Sequence, residues 1–221
     1  MGLAGNMNDD ARPGPDDAPD LDAAYALRTP EDSQRLYRSW ADSYDSDFVD
    51  EMDYRLPQHV ARVFLAAHPK GPVLDLGAGT GVMGLLLEGQ VTPVDGTDIS
   101  PEMLAVAARK QVYRQLFEGD LTGRLNVADG AYCSVVSAGT FTTGHVGPAA
   151  LDEVLRILAP GGYGVISVNV RHWQSEGFAD AFAMLRPRLA SFERIEVSIY
   201  GPRNTGPHAD DKGFVVRFQR D

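Results

Sequence analysis

The nine residues Val73–Gly81, which read VLDLGAGTG, constrain this chain more than any other stretch. Their first half is a short apolar run typical of a parallel strand that is buried on both faces. Glycine then occupies every second position, and a residue without a Cβ lets the backbone turn tightly and approach a ligand. The pattern therefore predicts a buried strand that runs into a ligand-binding turn.

One residue interrupts the apolar character of this strand. Asp75 stands near the carboxyl end, where a carboxylate is costly to bury unless it is paired. Two interpretations remain open for Asp75: it caps a turn, or it meets a cation on a ligand.

The composition excludes some classes of function. The 221 residues carry a net charge of −11, and nucleic-acid binders concentrate Lys and Arg instead. No apolar stretch approaches the roughly 18 residues that a membrane-spanning helix needs. The single cysteine, Cys133, has no partner for an intramolecular disulfide and suits a cytoplasmic protein. We therefore expect a cytoplasmic protein, monomeric or homodimeric, that acts on a small molecule and binds neither nucleic acid nor membrane.

The beginning of the chain differs from the rest. The first 20 residues include five Asp and three Pro, and they lack the basic and apolar regions of a signal peptide. We expect a disordered leader over 1–22 and one domain over 23–221.

The order of elements predicts the fold class. Helical spacing over about 31–67, with an Asp-rich break, precedes the first strand and predicts N-terminal lid helices. From residue 73 to residue 170, strands and helices alternate, which is typical of a doubly wound α/β sheet. Two strands near 192–200 and 213–219 follow each other directly and predict a terminal hairpin.

The glycine turn alone fits two cofactors. Residues 79–84, which read GTGVMG, satisfy the dinucleotide pattern, and Asp98 follows about 20 residues later, where a ribose-binding acid belongs. An NAD(P)-dependent oxidoreductase is therefore an open alternative. The acid before the glycines, the helical region before the first strand and the late hairpin are not required by a nicotinamide site.

Four segments together resemble the class I S-adenosylmethionine-dependent methyltransferases. They are VLDLGAGTG at 73–81, GTDISPEML at 96–104, EGDL at 118–121 and LAPGGYGVIS at 158–167. A narrower resemblance, carried by YRSWADSYD at 37–45 and GTFTTGHVGPAAL at 139–151, is to the methyltransferase-like proteins of the Williams-Beuren region group.

The resemblance implies a Rossmann-like, three-layer, seven-stranded sheet that is mostly parallel, with an antiparallel C-terminal strand. It implies S-adenosylmethionine as cofactor and S-adenosylhomocysteine as product. It also implies a set of cofactor-binding residues: Asp75, Gly77, Ala78, Gly79, Gly81, Asp98, Ile99, Asp120, Leu121, Ala138, Gly139, Trp40 and Tyr44.

Several of these implied roles have a plain alternative. Asp98 would accept hydrogen bonds from the ribose hydroxyls, or it caps the next helix. Asp120 would accept from the adenine amino group, or it makes an ordinary turn. Trp40 and Tyr44 would cover the sulfonium with aromatic faces, or they belong to the core.

The sequence gives fewer indications of the residues that bind the molecule to be methylated. His145 follows the fourth strand at the ligand-binding edge, so it is the candidate general base, or else a hydrogen-bonded loop histidine. Further candidates for substrate binding are Tyr54, Arg55, Asn169, Arg171 and His208. We expect methyl transfer to a small molecule by in-line displacement, with the oxidoreductase or a non-catalytic cofactor-binding scaffold as alternatives.

Overall fold

A seven-stranded sheet forms the centre of the protein. The computed structural model describes Arg35, Arg38, Ala41 and residues 44–221. The strands are β1 Val73–Leu76, β2 Val94–Asp98, β3 Leu116–Glu118, β4 Tyr132–Phe141, β5 Leu158–Asn169, β6 Leu189–Ser198 and β7 Lys212–Arg220. Their order across the sheet is β3-β2-β1-β4-β5-β7-β6. β7 is antiparallel to both of its neighbours, whereas β1 to β5 pair in parallel, which confirms the predicted fold class.

Helices cover both faces of this sheet. They are α1 Leu56–Ala66, α2 Val82–Leu87, α3 Pro101–Arg109, α4 Ala150–Ile157, α5 Val170–Ser175 and α6 Phe178–Leu185, with a π-helix at Tyr44–Asp50 and a 3₁₀ turn at Arg186–Arg188. None of the helices in the described part of the chain is long and apolar enough to cross a membrane.

Alternate residues of the central strands face opposite helix layers. Val135 and Ile166 belong to the core under α4, α5 and α6. Their neighbours Val136 and Val165 belong to the core under α1 and α2. This alternation follows from the two-residue repeat of a strand, and it explains why strands buried on both faces have continuous apolar sequences.

The region before β1 is only partly described. Of the predicted lid helices, residues 31–34 and Trp40 lie outside the described residues, as does the predicted leader. The Asp-rich stretch, predicted as a break between helices, is instead the π-helix Tyr44–Asp50. Phe48 within it is buried in the core with α1, so packing of this ring against the domain offsets the low helix propensity of the acidic residues around it.

The contact between β5 and β7 leaves no room for a side chain at Gly164. A Cβ at this position would lie 2.2 Å from Cζ of Phe218, whose side chain is 1% exposed. Gly164→Ala should therefore destabilise the fold by about 1–3 kcal/mol through overpacking. Denaturant unfolding measures this loss.

Gly147→Ala is the matched control, because a Cβ there meets no atom within 4 Å. Equal unfolding midpoints for the two variants would contradict the packing argument.

Candidate functional site

The carboxyl ends of the parallel strands open into one large cavity. Its empty volume is about 1330 Å³, a figure that includes solvent at the open mouth. The site lies where β1 and β4 diverge in the strand order, the position at which doubly wound sheets bind ligands. Residues from every parallel strand end and from the N-terminal segment line it: Tyr44, Phe48, Tyr54, Gly77, Gly79, Thr97, Asp98, Ile99, Met103, Asp120, Leu121, Ala138, Gly139, Thr140, Thr142, His145, Asn169 and Tyr200 among others.

The main-chain N–H groups of the glycine turn are used within the protein. Gly77 and Ala78 both donate to the Thr97 carbonyl, each at 2.9 Å. Gly79 donates to Oδ2 of Asp98 at 2.8 Å, and Gly81 donates to the Ala78 carbonyl at 2.9 Å. The turn is therefore tied to the end of β2, and it presents carbonyl oxygens and Cα atoms to a ligand.

An N–H group at the start of α2 is likewise hydrogen bonded within the protein, to Tyr113. Gly84, in the first turn of this helix, donates its N–H to the Tyr113 hydroxyl at 3.0 Å. That hydroxyl in turn donates to Oδ2 of Asp75 at 2.6 Å. The tyrosine ring fills the space that the missing side chains leave, because a Cβ at Gly81 or Gly96 would lie 3.2 Å from it.

The hydrogen bonds of this region bear on the two cofactor interpretations. A dinucleotide places its pyrophosphate against N–H groups of the glycine turn and of the following helix. Here the N–H groups of Gly77, Gly79 and Gly84 have acceptors within the protein, namely Thr97, Asp98 and Tyr113. These three donors are therefore engaged before a ligand binds.

Asp75 lies behind the turn and outside the cavity lining. Its side chain is 1% exposed, and Oδ1 has no hydrogen-bond partner among the described residues. Burial raises the pKa of Asp75 to about 7, the Tyr113 hydrogen bond opposes the rise, and the charge of Asp98 adds to it. Its predicted contact with the ammonium of a cofactor stays a prediction.

Asp98 and Asp120 both line the cavity, and each also accepts hydrogen bonds from residues two positions later in the chain. Asp98 accepts from Gly79 and from Ser100, the residue that caps α3, and burial raises its pKa. Asp120 accepts from the N–H and the hydroxyl of Thr122, at 2.8 and 2.6 Å, in an exposed turn. Each carboxylate has lone pairs beyond those it uses here, so capping does not exclude ligand binding.

The N-terminal segment closes one side of the cavity. Asp45 accepts a 2.5 Å hydrogen bond from the Thr80 hydroxyl in the glycine turn and pairs with Lys110. Tyr44 and Phe48, on the same π-helix, stack with ring centroids 4.9 Å apart. Tyr44 lines the cavity and its contact with the cofactor stays a prediction, whereas Trp40 lies outside the described residues.

An irregularity at the end of β4 widens the cavity toward β5. The pairing of the two strands shifts between Ser137 and Phe141, and Gly139 adopts φ +87° there. A Cβ on Gly139 would lie 2.7 Å from the Tyr54 hydroxyl. Bulges of this kind redirect side chains at strand ends, and this one turns Thr140 over Gly77, where a Cβ would lie 2.0 Å from the threonine Oγ1.

His145 lines the cavity on the side away from Asp98. Burial lowers the pKa of His145, and the hydrogen bond to the Thr143 carbonyl only partly offsets this, so the ring is neutral at pH 7. Nδ1 lies 3.0 Å from that carbonyl and must donate to it. Nε2 is consequently the basic nitrogen of the neutral ring.

The other candidates for substrate binding divide into two groups. Tyr54 and Asn169 line the cavity, and Asn169 also caps α5 by accepting from Arg171 N–H at 2.9 Å. Arg55, Arg171 and His208 are not part of the lining.

These three residues are held in ion pairs by two buried aspartates that the sequence did not single out. Asp211 pairs with Arg171 at 2.9 Å and with His208 at 3.0 Å. Asp53 pairs with Arg55 at 2.6 Å, and it accepts from Arg203 in the β6–β7 loop at 3.1 Å. The contacts of Asp53 join the N-terminal segment to the β6–β7 loop, and direct substrate contact by Arg55, Arg171 and His208 stays a prediction.

Other lining residues were missed by sequence reasoning. Phe48, Thr140, Thr142 and Tyr200 lie in the cavity wall. The two threonines belong to the segment GTFTTGHV that directly follows the fourth strand, so their position carried a signal. The sequence gave no signal for Phe48 and Tyr200. These two residues come together only in the tertiary structure, where Tyr54 contacts both rings.

The raised pKa of Asp75 predicts a pH effect on stability. The unfolded carboxyl has a pKa near 3.8 and the folded one a pKa of about 7, so the stability is full below pH 4 and falls as pH rises to 7. Asp75→Asn removes this titration while Tyr113 keeps an acceptor. Relative to the parent, the variant should gain up to roughly 4 kcal/mol between pH 4 and pH 8.

Denaturant unfolding of both proteins at several pH values measures this difference. A constant cost for the buried amide at all pH values does not affect the comparison. A difference that does not change with pH would show that the Asp75 carboxyl keeps its ordinary pKa in the fold.

Sequence comparison identifies a known domain in this region. The model of a methyltransferase domain matches residues 73–162, from β1 into β5. A demethylmenaquinone methyltransferase of Thermus thermophilus is 37% identical over 116 residues, which are 50% of this chain and 52% of that protein. One of Beutenbergia cavernae with the same name is 33% identical over 63% of this chain and 59% of its own length. The chain thus spans about half the length of the curated relatives it matches.

Solved structures share the whole fold. An S-adenosylmethionine-dependent methyltransferase from Thermotoga maritima superposes with a TM-score of 0.63 at 17% identity, covering 85% of this chain and 99% of that one. The N-methyltransferase NodS from Bradyrhizobium japonicum, in complex with S-adenosylhomocysteine, gives 0.60 at 16% identity, covering 83% and 96%. At these identities the likeness shows the fold.

The matched domain, the strand order and the hydrogen-bonded glycine turn all fit the fold of a methyltransferase. The narrower resemblance to the Williams-Beuren region group stays a prediction. Residues 73–162 match a methyltransferase domain, and the described fold is that of S-adenosylmethionine-dependent methyltransferase structures.

Proposed function

We propose that this protein transfers a methyl group from S-adenosylmethionine to a small-molecule acceptor by in-line displacement. The observation that carries the proposal is the methyltransferase domain matched over residues 73–162, whose glycine turn and Asp98 line the cavity at the carboxyl ends of the parallel strands. When bound, S-adenosylmethionine supplies a methyl group on a positively charged sulfur. The protein contributes alignment, close approach and exclusion of water.

The cofactor side of the cavity has residues that can contact each part of that molecule. Asp98 accepts hydrogen bonds from the ribose hydroxyls through the lone pairs that its bonds to Gly79 and Ser100 do not use. Ile99 packs against the adenine. Asp120 accepts from the adenine amino group, with Leu121 beside it. The Cα of Gly79 faces open space, since a Cβ there meets nothing within 4 Å, so the chain can lie close to the methionine part.

The π-helix Tyr44–Asp50 supplies aromatic rings near the sulfonium. Tyr44 and Phe48 line the cavity and are fastened over the glycine turn through Asp45. Ring faces attract a positive charge, and the attraction grows when water is excluded. The segment therefore stabilises the bound cofactor.

If the molecule that receives the methyl group must lose a proton, His145 takes that proton. Its Nδ1–H is held by the Thr143 carbonyl, and its ring is neutral at pH 7, so Nε2 receives the proton. His145 is the one histidine of the described lining, and the two carboxylates of that lining, Asp98 and Asp120, lie on the cofactor side.

Calorimetric titration with S-adenosylhomocysteine and, in parallel, with NAD(H) tests the proposal. Micromolar binding of S-adenosylhomocysteine alone supports it. Binding of NAD(H) alone would support the oxidoreductase alternative. Cofactor binding without turnover on any acceptor would support the scaffold alternative.

Asp98→Asn should weaken the binding of S-adenosylhomocysteine by about 1.5–3 kcal/mol, or roughly 10- to 150-fold. Hydrogen bonds from the ribose hydroxyls to a charged acceptor are lost in this variant. Calorimetry gives the affinity, and thermal unfolding verifies that the turn still folds without the second oxygen.

Asp129→Asn is the control, since Asp129 is exposed and lies outside the cavity lining. Unchanged affinity in a folded Asp98 variant would remove Asp98 from the ribose.

His145→Gln should leave the affinity for S-adenosylhomocysteine unchanged and lower kcat by about 10²–10⁴-fold, the usual contribution of a general base. The lowered pKa of His145 places the acidic limb of the parent's kcat profile below pH 6.5, and the variant should lack this limb. Steady-state kinetics over pH 5–8 measures both effects.

His59→Gln, on α1 and outside the cavity lining, is the control. A change in KM with the pH profile retained would show that His145 binds the acceptor without taking its proton.

The cytoplasmic location and the monomeric or homodimeric state stay predictions of the composition. The same holds for the absence of nucleic-acid partners, which is inferred from the net charge of −11.

A further inference from the structure

The loop that carries His145 is shaped by its own hydrogen bonds. Residues 142–149 connect β4 to α4. The His145 N–H donates to the Thr142 carbonyl at 3.0 Å, and Nδ1 of the ring lies 3.0 Å from the Thr143 carbonyl. Gly144 between them adopts φ +79°. These bonds form a turn around His145, but they do not fix that turn against the body of the domain.

A buried hydrogen bond from α5 joins the loop to the domain. Nε2 of His172 lies 2.9 Å from the Val146 carbonyl, and the two residues are only 5% and 8% exposed. A carbonyl oxygen can only accept, so Nε2 of His172 carries a hydrogen and donates it. Val146 directly follows His145 in the chain. The bond therefore holds the main chain next to the His145 side chain.

The donor itself is held firmly by the core. The ring of His172 packs against Phe178, which is fully buried, with ring centroids 5.2 Å apart. Trp173 stacks on the same phenylalanine at 5.8 Å. A side chain packed in this way keeps one orientation. The position of the Nε2–H group is consequently set by the core under α5.

The other ring nitrogen of His172 has a cost. Nδ1 is buried and has no hydrogen-bond partner among the described residues. A buried polar atom without a partner is destabilising, and an apolar side chain of similar size would avoid this. Packing alone therefore does not explain a histidine here, whereas the Nε2–H donor does.

His172 also lies near enough to His145 to affect its charge. Burial lowers the pKa of His145, the hydrogen bond to the Thr143 carbonyl opposes this, and the charge of a protonated His172 adds to the lowering. An experiment on His172 must therefore separate its charge from its hydrogen bond.

We propose that His172 is a positioning residue, whose Nε2–H bond to the Val146 carbonyl holds the loop 142–149 so that His145 faces the cavity. The inference deepens the proposed function and rests on it, because a general base must be held within hydrogen-bond reach of the group that loses its proton. His172 is not among the described residues that line the cavity, so it acts through the loop.

Two substitutions separate the donor from the charge. His172→Gln removes the titrating ring and keeps an N–H donor near the position of Nε2, whereas His172→Phe removes both. In His172→Phe we expect the His145 amide to exchange with deuterium at least about fivefold faster than in the parent, because the buried Val146 carbonyl loses its donor. In His172→Gln the exchange should stay within about twofold of the parent. NMR measures both rates.

The His145 ring supplies a second signal. Its NMR titration in His172→Phe should move toward the ordinary pKa of 6.5, because a loosened loop exposes the ring to water, and it should move less in His172→Gln. Equal titration and equal exchange in the two variants would reduce the role of His172 to its charge and overturn the proposal.

Phe178→Leu is the matched control, because it loosens the same core beside His172 and leaves the Nε2–H donor in place. It should keep the parent's His145 titration and amide exchange. The changes of His172→Phe reproduced in Phe178→Leu would point to general loosening and overturn the proposal.

His172→Leu serves as a second variant if His172→Phe does not fold. Loss of folding in both, with His172→Gln folded, would show that the bond holds the whole domain and not the loop, and this too would overturn the proposal.

Failure of this inference differs from failure of the proposed function. If S-adenosylhomocysteine does not bind the unaltered protein while NAD(H) does, methyl transfer itself is wrong. If S-adenosylhomocysteine binds and His172→Phe leaves the loop and the His145 titration unchanged, only the role of His172 is wrong.

Discussion

The site depends on how the main chain of the glycine turn is satisfied. Buried N–H groups must have acceptors, and in this protein Thr97, Asp98 and Tyr113 supply them from β2 and from the segment after α3. Each bond fixes the turn against a neighbouring element, so the edge of the cavity is rigid before a ligand arrives. The same bonds engage the N–H groups of Gly77, Gly79 and Gly84 within the protein.

The glycines of this region serve different purposes although they share one motif. Gly79 faces open space in the cavity, whereas Gly77 makes room for Thr140 of the β4 bulge. Gly81 and Gly84 make room for the ring of Tyr113. Gly77, Gly79 and Gly81 all adopt positive φ, which a residue with a Cβ rarely does. Only part of a glycine motif therefore concerns the ligand, and the remainder supports the packing that holds the turn.

The acceptor side is formed by contacts between distant parts of the chain. Asp53 joins the segment before α1 to Arg203 in the β6–β7 loop, and a backbone bridge pairs Tyr54 with Tyr200. These contacts bring ring faces from residues about 150 positions apart into one wall and keep the charged side chains outside it.

The sequence by itself determined the architecture and the cofactor-side acids. Alternating apolar strands and helices, followed by two consecutive strands, predicted a mainly parallel sheet with a terminal hairpin, since local periodicity encodes burial, and the family resemblance implied its seven strands and the antiparallel C-terminal one. Asp98, Asp120 and His145 were found because strand ends in a parallel sheet converge on one edge.

Only the tertiary structure decided which candidates face the ligand. Arg55, Arg171 and His208 follow or precede site elements in sequence, yet buried aspartates hold them outside the lining. Phe48 and Tyr200 enter the wall without any local signal. The physical reason is that the direction of a side chain at a loop depends on the partners that fold against it, and those partners are remote in the sequence.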